Sequence, residues 1–348
     1  MKNIWYNFIR SYIKLGLFFY TKKIKVVGKK NIPKKGAVLF AVNHPNGLLD
    51  PLLVTTTATR NTHYLVRAAV FKKPLVKKFL ATLNLMPIYR IRDGVKELSK
   101  NTEVFNDCFK ILKKGEALMI FPEGSHDQRR TVRNLSKGFT RIIFGAFEKY
   151  PDLKITIIPV GITYQSVSSF PSEVAIHFGK PILANTLYNK DELNSSIQTI
   201  KEAVSSQLKD LSVHIPADDN YQTTLKTLNL KNIDFTDVCE ANRIIKTNKR
   251  TTKRVRINVV KPLYYILIIN SIFPWILWKI AAKKIDEREF VDTFRVAIGI
   301  TLFPVFYLIQ AFILYNFYNF KTAVLYLLTT LIVQLMYTKF STTSITEE

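Results

Sequence analysis

Hydrophobic and polar positions follow three different patterns along this chain. Near the start, Ile4, Trp5, Phe8, Ile9, Tyr12, Ile13, Leu17, Phe19 and Tyr20 recur at helical spacing. Lys2, Asn3, Asn7, Arg10, Ser11 and Lys14 fill much of the opposite face. Arg10 and Lys14 interrupt what would be the apolar core of a signal peptide, and no small-residue cleavage site follows. Aromatic residues flanked by Lys and Arg predict that residues 1–22 form an amphipathic helix lying in a bilayer interface. A helix packed on the protein's own core would show the same periodicity.

From residue 23 onward, short apolar runs alternate with amphipathic stretches. Strands are predicted over 24–27, 37–42, 63–66, 87–89, 117–121, 155–163 and 174–178, and helices near 51–60, 70–83, 95–114, 136–150 and 190–211. This alternation predicts an α/β domain over residues 23–215. Residues 216–258 are more polar and read as a basic linker ending in Lys246, Lys249, Arg250, Lys253, Arg254 and Arg256.

The third pattern is continuous apolarity. Residues 262–280, 296–317 and 322–337 form three apolar segments within a predicted membrane-embedded region, 259–340, ahead of a short tail, 341–348. A span needs about 20 residues with few charges. The second segment meets that need, and the third is slightly short but free of charge. The first carries Asn270, Ser271 and Pro274 at its centre and basic residues on both flanks, whereas Lys321 is the one charge between the other two. Three simple spans would place one basic flank outside, against the positive-inside bias, so a re-entrant or interfacial first segment followed by a two-helix hairpin is expected.

Charge narrows the partners. The chain has 51 Lys plus Arg against 26 Asp plus Glu, a formal net charge of +25. Such a charge suits nucleic acid, anionic lipid or acidic small molecules alike, and the apolar segments select the lipid bilayer over nucleic acid. Cys108 and Cys239 lie far apart with no metal-ligand spacing, so neither a disulfide framework nor a zinc site is indicated, and a reduced, cytoplasm-facing domain is expected.

Candidate chemistry centres on Asn43-His44-Pro45-Asn46-Gly47-Leu48-Leu49-Asp50, directly after an apolar strand. A carboxylate that accepts one imidazole N–H fixes the tautomer and leaves the other nitrogen free to take a proton. The same residues also read as a loop histidine beside a helix start, with Pro51 at the first helical position. Three further segments follow in order: Leu85-Met86-Pro87-Ile88-Tyr89-Arg90, Phe121-Pro122-Glu123-Gly124-Ser125 and Ile157-Ile158-Pro159-Val160.

Together these four blocks resemble those of the glycerolipid acyltransferase family, which includes bacterial lysophosphatidic acid acyltransferases and glycerol-3-phosphate acyltransferases. The Phe178-Gly179-Lys180-Pro181-Ile182 turn is similar to one that closes the domain in many members, so the resemblance covers about residues 23 to 185. It implies a mixed sheet flanked by helices, and acyl transfer from acyl-CoA or acyl carrier protein as co-substrate, with no covalent acyl-enzyme and no cofactor; the apolar segments add the expectation of an integral membrane protein (of the inner membrane in a bacterium). His44 is then the general base and Asp50 its orienter. Arg90, Glu123, Gly124 and Lys137 are the acceptor-binding candidates, with Arg90 on the phosphate of glycerol-3-phosphate or a lysophospholipid. Oxyanion donors are sought in the backbone at Asn46-Gly47 or near Gly124.

Two departures bear on that assignment. The commonest spacing has four residues between histidine and aspartate, whereas Pro45 to Leu49 make five here, enough to rotate the aspartate away. This spacing and the Glu123-Gly124-Ser125-His126-Asp127 block resemble the fungal-type glycerol-3-phosphate/dihydroxyacetone-phosphate acyltransferases. His126 replaces the usual third-block arginine, with Arg129, Arg130 or Arg133 as substitutes for its charge. An acyltransferase for another lysolipid or an amino-acid-based lipid is an alternative, and a catalytically inactive membrane-surface binding protein is an alternative of another class. His126-Asp127 is the alternative catalytic couple.

Overall fold

The computed structural model describes residues 2–90, 95–247, 258–285, 287 and 290–343. Helix α1 (Lys2–Tyr20) precedes a sheet of eight strands: β1 (Lys23–Val27), β2 (Ala37–Val42), β3 (Thr62–Arg67), β4 (Leu85–Ile88), β5 (Ala117–Ile120), β6 (Ile155–Tyr164), β7 (Glu173–Phe178) and β8 (Ile182–Leu183). Its order is β1-β7-β6-β2-β5-β3-β4, with β8 paired to β6. Pairing is parallel except for β6 with β7 and β6 with β8. The sheet is therefore mixed and mostly parallel.

β2 shows why these residues form a central strand. All six side chains are buried, and they alternate between faces as a two-residue period requires. Val38, Phe40 and Val42 join one core, with α2 (Leu49–Thr57) and α1. Ala37, Leu39 and Ala41 join the other, with α4 (Asn101–Lys113), α5 (Gly138–Lys149) and α6 (Leu193–Leu211). On the β3–β4 side, α3 (Pro74–Thr82) begins with proline at its N-terminus, where no intrahelical donor is needed. Pro159 sits inside β6 without breaking the ladder. It falls between the two outer partners, β8 at Thr156–Ile157 and β7 from Val160 on, where no amide donor is required.

Two expectations change. The segment expected as a polar linker folds into α7 (Tyr221–Leu230) and α8 (Val238–Thr247), which bury Tyr221, Leu225, Leu228, Phe235, Val238 and Ala241 against Ala175 of β7. Its apolar residues are sparse enough to look like a linker, yet they converge on one small core. Of the basic run, Lys249, Arg250, Lys253, Arg254 and Arg256 lie outside the described residues. The apolar stripe of α1 is also divided. Leu17 and Tyr20 enter the sheet core, whereas Ile4, Trp5, Phe8 and Tyr12 stay exposed together with Leu15 and Phe18.

The C-terminal region contains α9 (Lys261–Asn270), α10 (Ile272–Ala282), α11 (Val291–Phe317) and α12 (Phe320–Phe340). α11 and α12 are long and apolar enough to cross a membrane, and α9 and α10 are bent by 99° at Ser271. Polar groups at the bend are satisfied from the neighbouring helices. Ser271 Oγ lies 2.7 Å from the Tyr307 hydroxyl, Gln310 Nε2 donates to the Asn270 carbonyl at 3.1 Å, and the Tyr326 hydroxyl donates to Gln310 Oε1 at 2.7 Å. Irregular backbone at membrane depth requires such internal partners. α11 is not confined to this region, because Val296 joins the core shared by α1, α2 and the sheet.

Candidate active site

β2 delivers the first block to the carboxyl edge of the sheet, where ligand sites of parallel sheets gather. Asn43 prolongs the β2–β6 ladder with its side chain: Oδ1 accepts from Ile162 N–H at 2.7 Å and Nδ2 donates to the Ile162 carbonyl at 3.0 Å. The chain is thereby fixed one residue before His44. His44 Nδ1 lies 2.8 Å from Asp50 Oδ2, so the longer spacing does not rotate the aspartate away. Since an ionised carboxylate only accepts, Nδ1 carries the proton and Nε2 presents its lone pair.

Three groups hold Asp50 in the first turn of α2, where a helix N-terminus favours negative charge. Besides His44, its oxygens accept the Asn46 N–H at 2.7 Å and the Tyr164 hydroxyl at 2.6 Å. Burial raises the Asp50 carboxyl above its ordinary value, and the bonds from His44, Tyr164 and Asn46 oppose that shift. The His44 ring stacks on Phe121, with centroids 3.9 Å apart and planes 18° from parallel. Carboxylate and stacking together fix the imidazole in position and in plane.

The third block faces this pair from the end of β5. The Asp127 N–H donates to the His44 carbonyl at 3.0 Å. Gly124 adopts φ 78°, a left-handed turn that a side chain would strain. The Glu123 side chain is buried and accepts from Arg133 Nε at 2.7 Å. Burial raises its carboxyl, and the Arg133 charge pulls it back. Arg133 also donates to Ser125 Oγ at 2.8 Å and to the Ser125 carbonyl. Arg129 pairs with Asp127 at 2.9 Å, while buried Arg130 donates to the Tyr164 and Gln165 carbonyls and lies over the Phe235 ring. A recess beside His44 is lined by Glu123, Asp127, Arg129, Arg130 and Thr131.

The remaining candidates are placed less centrally. Arg90 follows β4, two strands from β5 and so about 10 Å across the sheet, and does not line the recess. Lys137 is exposed at the start of α5. Of the backbone donors considered for an oxyanion, Asn46 N–H is engaged by Asp50, and Gly124 N–H by the Phe121 carbonyl at 3.0 Å. The alternative couple does not form, because Asp127 turns to Arg129. His126 instead packs edge-on to His44, at 5.8 Å between centroids, and its Nε2 lies 3.5 Å from Glu287. His63 pairs with Glu116 at 2.8 Å, and His214 accepts the Val132 N–H.

Tyr164 is not singled out by the sequence, and its place four residues after the fourth block is the available signal. Phe121 enters the sequence reading only as the first residue of the third block, and Arg133 only as one of three substitutes for the missing arginine. Asp292 and Thr293 of α11 also reach the first block, and nothing in their sequence surroundings points to it.

The chain is similar to known acyltransferases over part of its length. Residues 23–163 match the family model described as Acyltransferase. The chain is 23% identical over 158 residues to glycerol-3-phosphate O-acyltransferase 1 of Saccharomyces cerevisiae, covering 43% of this chain and 20% of that one. It is 29% identical over 132 residues to the 1-acyl-sn-glycerol-3-phosphate acyltransferase of Borreliella burgdorferi, covering 37% and 50%. The match thus spans half or less of the length of these relatives. The crystal structure of the Thermotoga maritima 1-acyl-sn-glycerophosphate acyltransferase superposes with a TM-score of 0.44 at 18% identity, over 60% of this chain and 81% of that one. Residues 23–163, which carry the His44–Asp50 pair and the third block, are the part of the chain that matches the acyltransferase family.

Proposed function

We propose that this protein transfers a fatty acyl group from acyl-CoA or acyl carrier protein to the free hydroxyl of glycerol-3-phosphate or its 1-acyl derivative, at a membrane surface, in phospholipid synthesis. The observation that carries this reading is the pair of half-buried His44 and buried Asp50, with Nε2 open beside the Glu123 block. A glycerol hydroxyl is a weak nucleophile toward a thioester and needs a base in hydrogen-bond reach. His44 Nε2 takes its proton as the oxygen forms the new C–O bond. Asp50 stabilises the imidazolium, and collapse of the tetrahedral intermediate breaks the C–S bond. The imidazolium then returns the proton to the departing thiolate, so the enzyme ends unchanged.

Arg90 at the sheet edge is assigned to the acceptor phosphate, with Lys137 as a second cation, and Glu123 and Gly124 shape the acceptor side. Glu123 is held by Arg133, which suits a carboxylate that orders its loop and contacts hydroxyls. α11 and α12 anchor the protein with its α/β domain on the cytoplasmic side, and the exposed apolar face of α1 lies on the same lipid surface. The test is to incubate the full-length protein in lipid nanodiscs with labelled acyl-CoA or acyl carrier protein and a panel of acceptors. Esterification of glycerol-3-phosphate or its monoacyl derivative is expected. Transfer to neither overturns the assignment.

A further inference from the structure

Helix α11 leaves the membrane region by its N-terminal turn and ends against the His44–Asp50 loop. The Leu48 N–H donates to Thr293 Oγ1 at 3.0 Å. Asn46 Nδ2 donates to Asp292 Oδ2 at 3.4 Å, and Asn46 is itself almost fully buried. Between these two attachments lies Gly47, where a Cβ would stand 3.0 Å from both the Phe290 ring and Thr293 Oγ1. Phe290 also packs edge-on against His126, at 5.0 Å between centroids.

Asp292 is fixed in turn. Its Oδ1 accepts from the Tyr20 hydroxyl of α1 and from Arg295, each at 2.8 Å, and Arg295 donates to the Ser168 carbonyl at 3.1 Å. A chain of contacts therefore runs from α11 through Asn46 to Asp50, whose Oδ2 accepts both the Asn46 N–H and His44 Nδ1.

We propose that the first turn of α11, through Thr293 and Asp292, positions the His44–Asp50 loop for catalysis, so that the C-terminal membrane helices form part of the active site's framework as well as an anchor. The proposal rests on the acyl-transfer reading of that site. Five residues separate His44 from Asp50, and the outer turn they form, Asn46 to Leu48, is the part that α11 grips. The two amide-to-carboxylate contacts around Asn46 differ in length: its backbone N–H is held at 2.7 Å and its side chain at 3.4 Å. Thr293 therefore makes the firmer direct bond from α11 to the loop, and it is the residue to change first. Neither Thr293 nor Asp292 is assigned a contact with substrate, so both are positioning residues. A catalytic group displaced by about 1 Å can lose about 10²-fold in rate.

Thr293→Val keeps the volume of the side chain and removes the acceptor for the Leu48 N–H. Full-length protein in nanodiscs is expected to lose about 10- to 100-fold in kcat, with the KM of donor and acceptor nearly unchanged. Thr293→Ser, which restores the hydroxyl, should recover most of the rate. A reading independent of turnover is the rate at which diethyl pyrocarbonate modifies each histidine, followed by peptide mass spectrometry. His44 should label several-fold faster in Thr293→Val, with His177 and His214 unchanged. Wild-type kcat and labelling overturn the proposal, and so does a fall in kcat with His44 labelling unaltered, or faster labelling with kcat intact. If Thr293→Val exposes all histidines alike, Asp292→Asn is judged by the same two readings. If the wild-type protein transfers to no acceptor, the acyl-transfer reading fails, and His44 labelling alone decides whether α11 holds the loop.

Discussion

The sheet and the C-terminal helices place their polar groups for opposite solvents. Around β2 every side chain is hidden, and the polar residues that are buried there, Asn43, Asn46 and Asp50, converge on one loop. On α11 and α12 the large apolar residues point outward: Leu308 is 60% exposed, Phe312 66% and Leu325 65%. Their polar partners, Tyr307, Gln310 and Tyr326, turn inward to Asn270 and Ser271. Both regions pair their buried polar groups, because an unpaired group costs free energy in protein and in lipid alike. They differ in what lies outside. Buried polarity that also gathers a histidine beside a recess marks the candidate site, whereas buried polarity that closes a helix bend is structural.

The largest test of this distinction is His44→Ala. It should lower transfer by about 10²–10⁴ while leaving membrane attachment as in the parent, with a modest fall in melting temperature from the lost Phe121 stacking and Asp50 hydrogen bond. Radiolabelled product formation and a melting curve read the two sides together. Near-normal turnover would move the base elsewhere, with His126→Ala the next variant.

On the other side of the comparison, Leu308→Arg should disturb membrane insertion and leave the site chemistry alone. Arginine at the centre of a span carries a penalty of about 2.5–3.5 kcal/mol. The variant should show a reduced carbonate-resistant fraction, and the inserted fraction should turn over normally. Unchanged insertion would mean that this face of α11 meets protein or water.

A smaller effect concerns the edge of the sheet. A charge-assisted contact is worth about 1.5–3 kcal/mol, so Arg90→Ala should raise the acceptor's KM by about 10- to 150-fold and spare the acyl donor, with Arg90→Lys recovering only part. Equal loss for both substrates would give Arg90 a folding role.

The smallest effect is on stability, and it carries a sign. Burial raises the Asp50 carboxyl in the folded state, so the folded protein holds this proton more tightly than the unfolded chain. The ionised group then disfavours folding above its folded pKa, and that penalty vanishes below the unfolded value. Asp50→Asn should abolish most activity yet melt no lower than the parent at neutral pH. Any advantage in melting temperature should shrink as pH falls through the raised pKa. An advantage that grew on acidification would mean that the bonds from His44, Tyr164 and Asn46 outweigh burial.

Much of the α/β region was legible because its signals are local. Seven strands were readable as apolar runs, with the first and third blocks directly after β2 and β5 and the second and fourth largely within β4 and β6. β8, two residues long, offered no period to read. The helices α7 and α8 escaped notice because their apolar positions acquire meaning only when Phe235 and Ala175 meet in one small core. The break between α9 and α10 was foreshadowed by Asn270, Ser271 and Pro274 in an apolar segment. The partners that satisfy it, Tyr307, Gln310 and Tyr326, lie at least 36 residues away.

The sequence by itself determined the alternation of elements, the presence of spans long enough for a bilayer and the candidate residues of the first and third blocks, because each depends on spacing within a few turns or strands. Only the tertiary structure decided that Asp50 stays with His44 despite the longer loop. It also decided that Tyr164 and Phe121 fix that pair, and that the first turn of α11, more than 240 residues along the chain, closes on Asn46 and Leu48. Those contacts come from strand order and helix docking. No local pattern encodes which distant hydroxyl will meet a given amide.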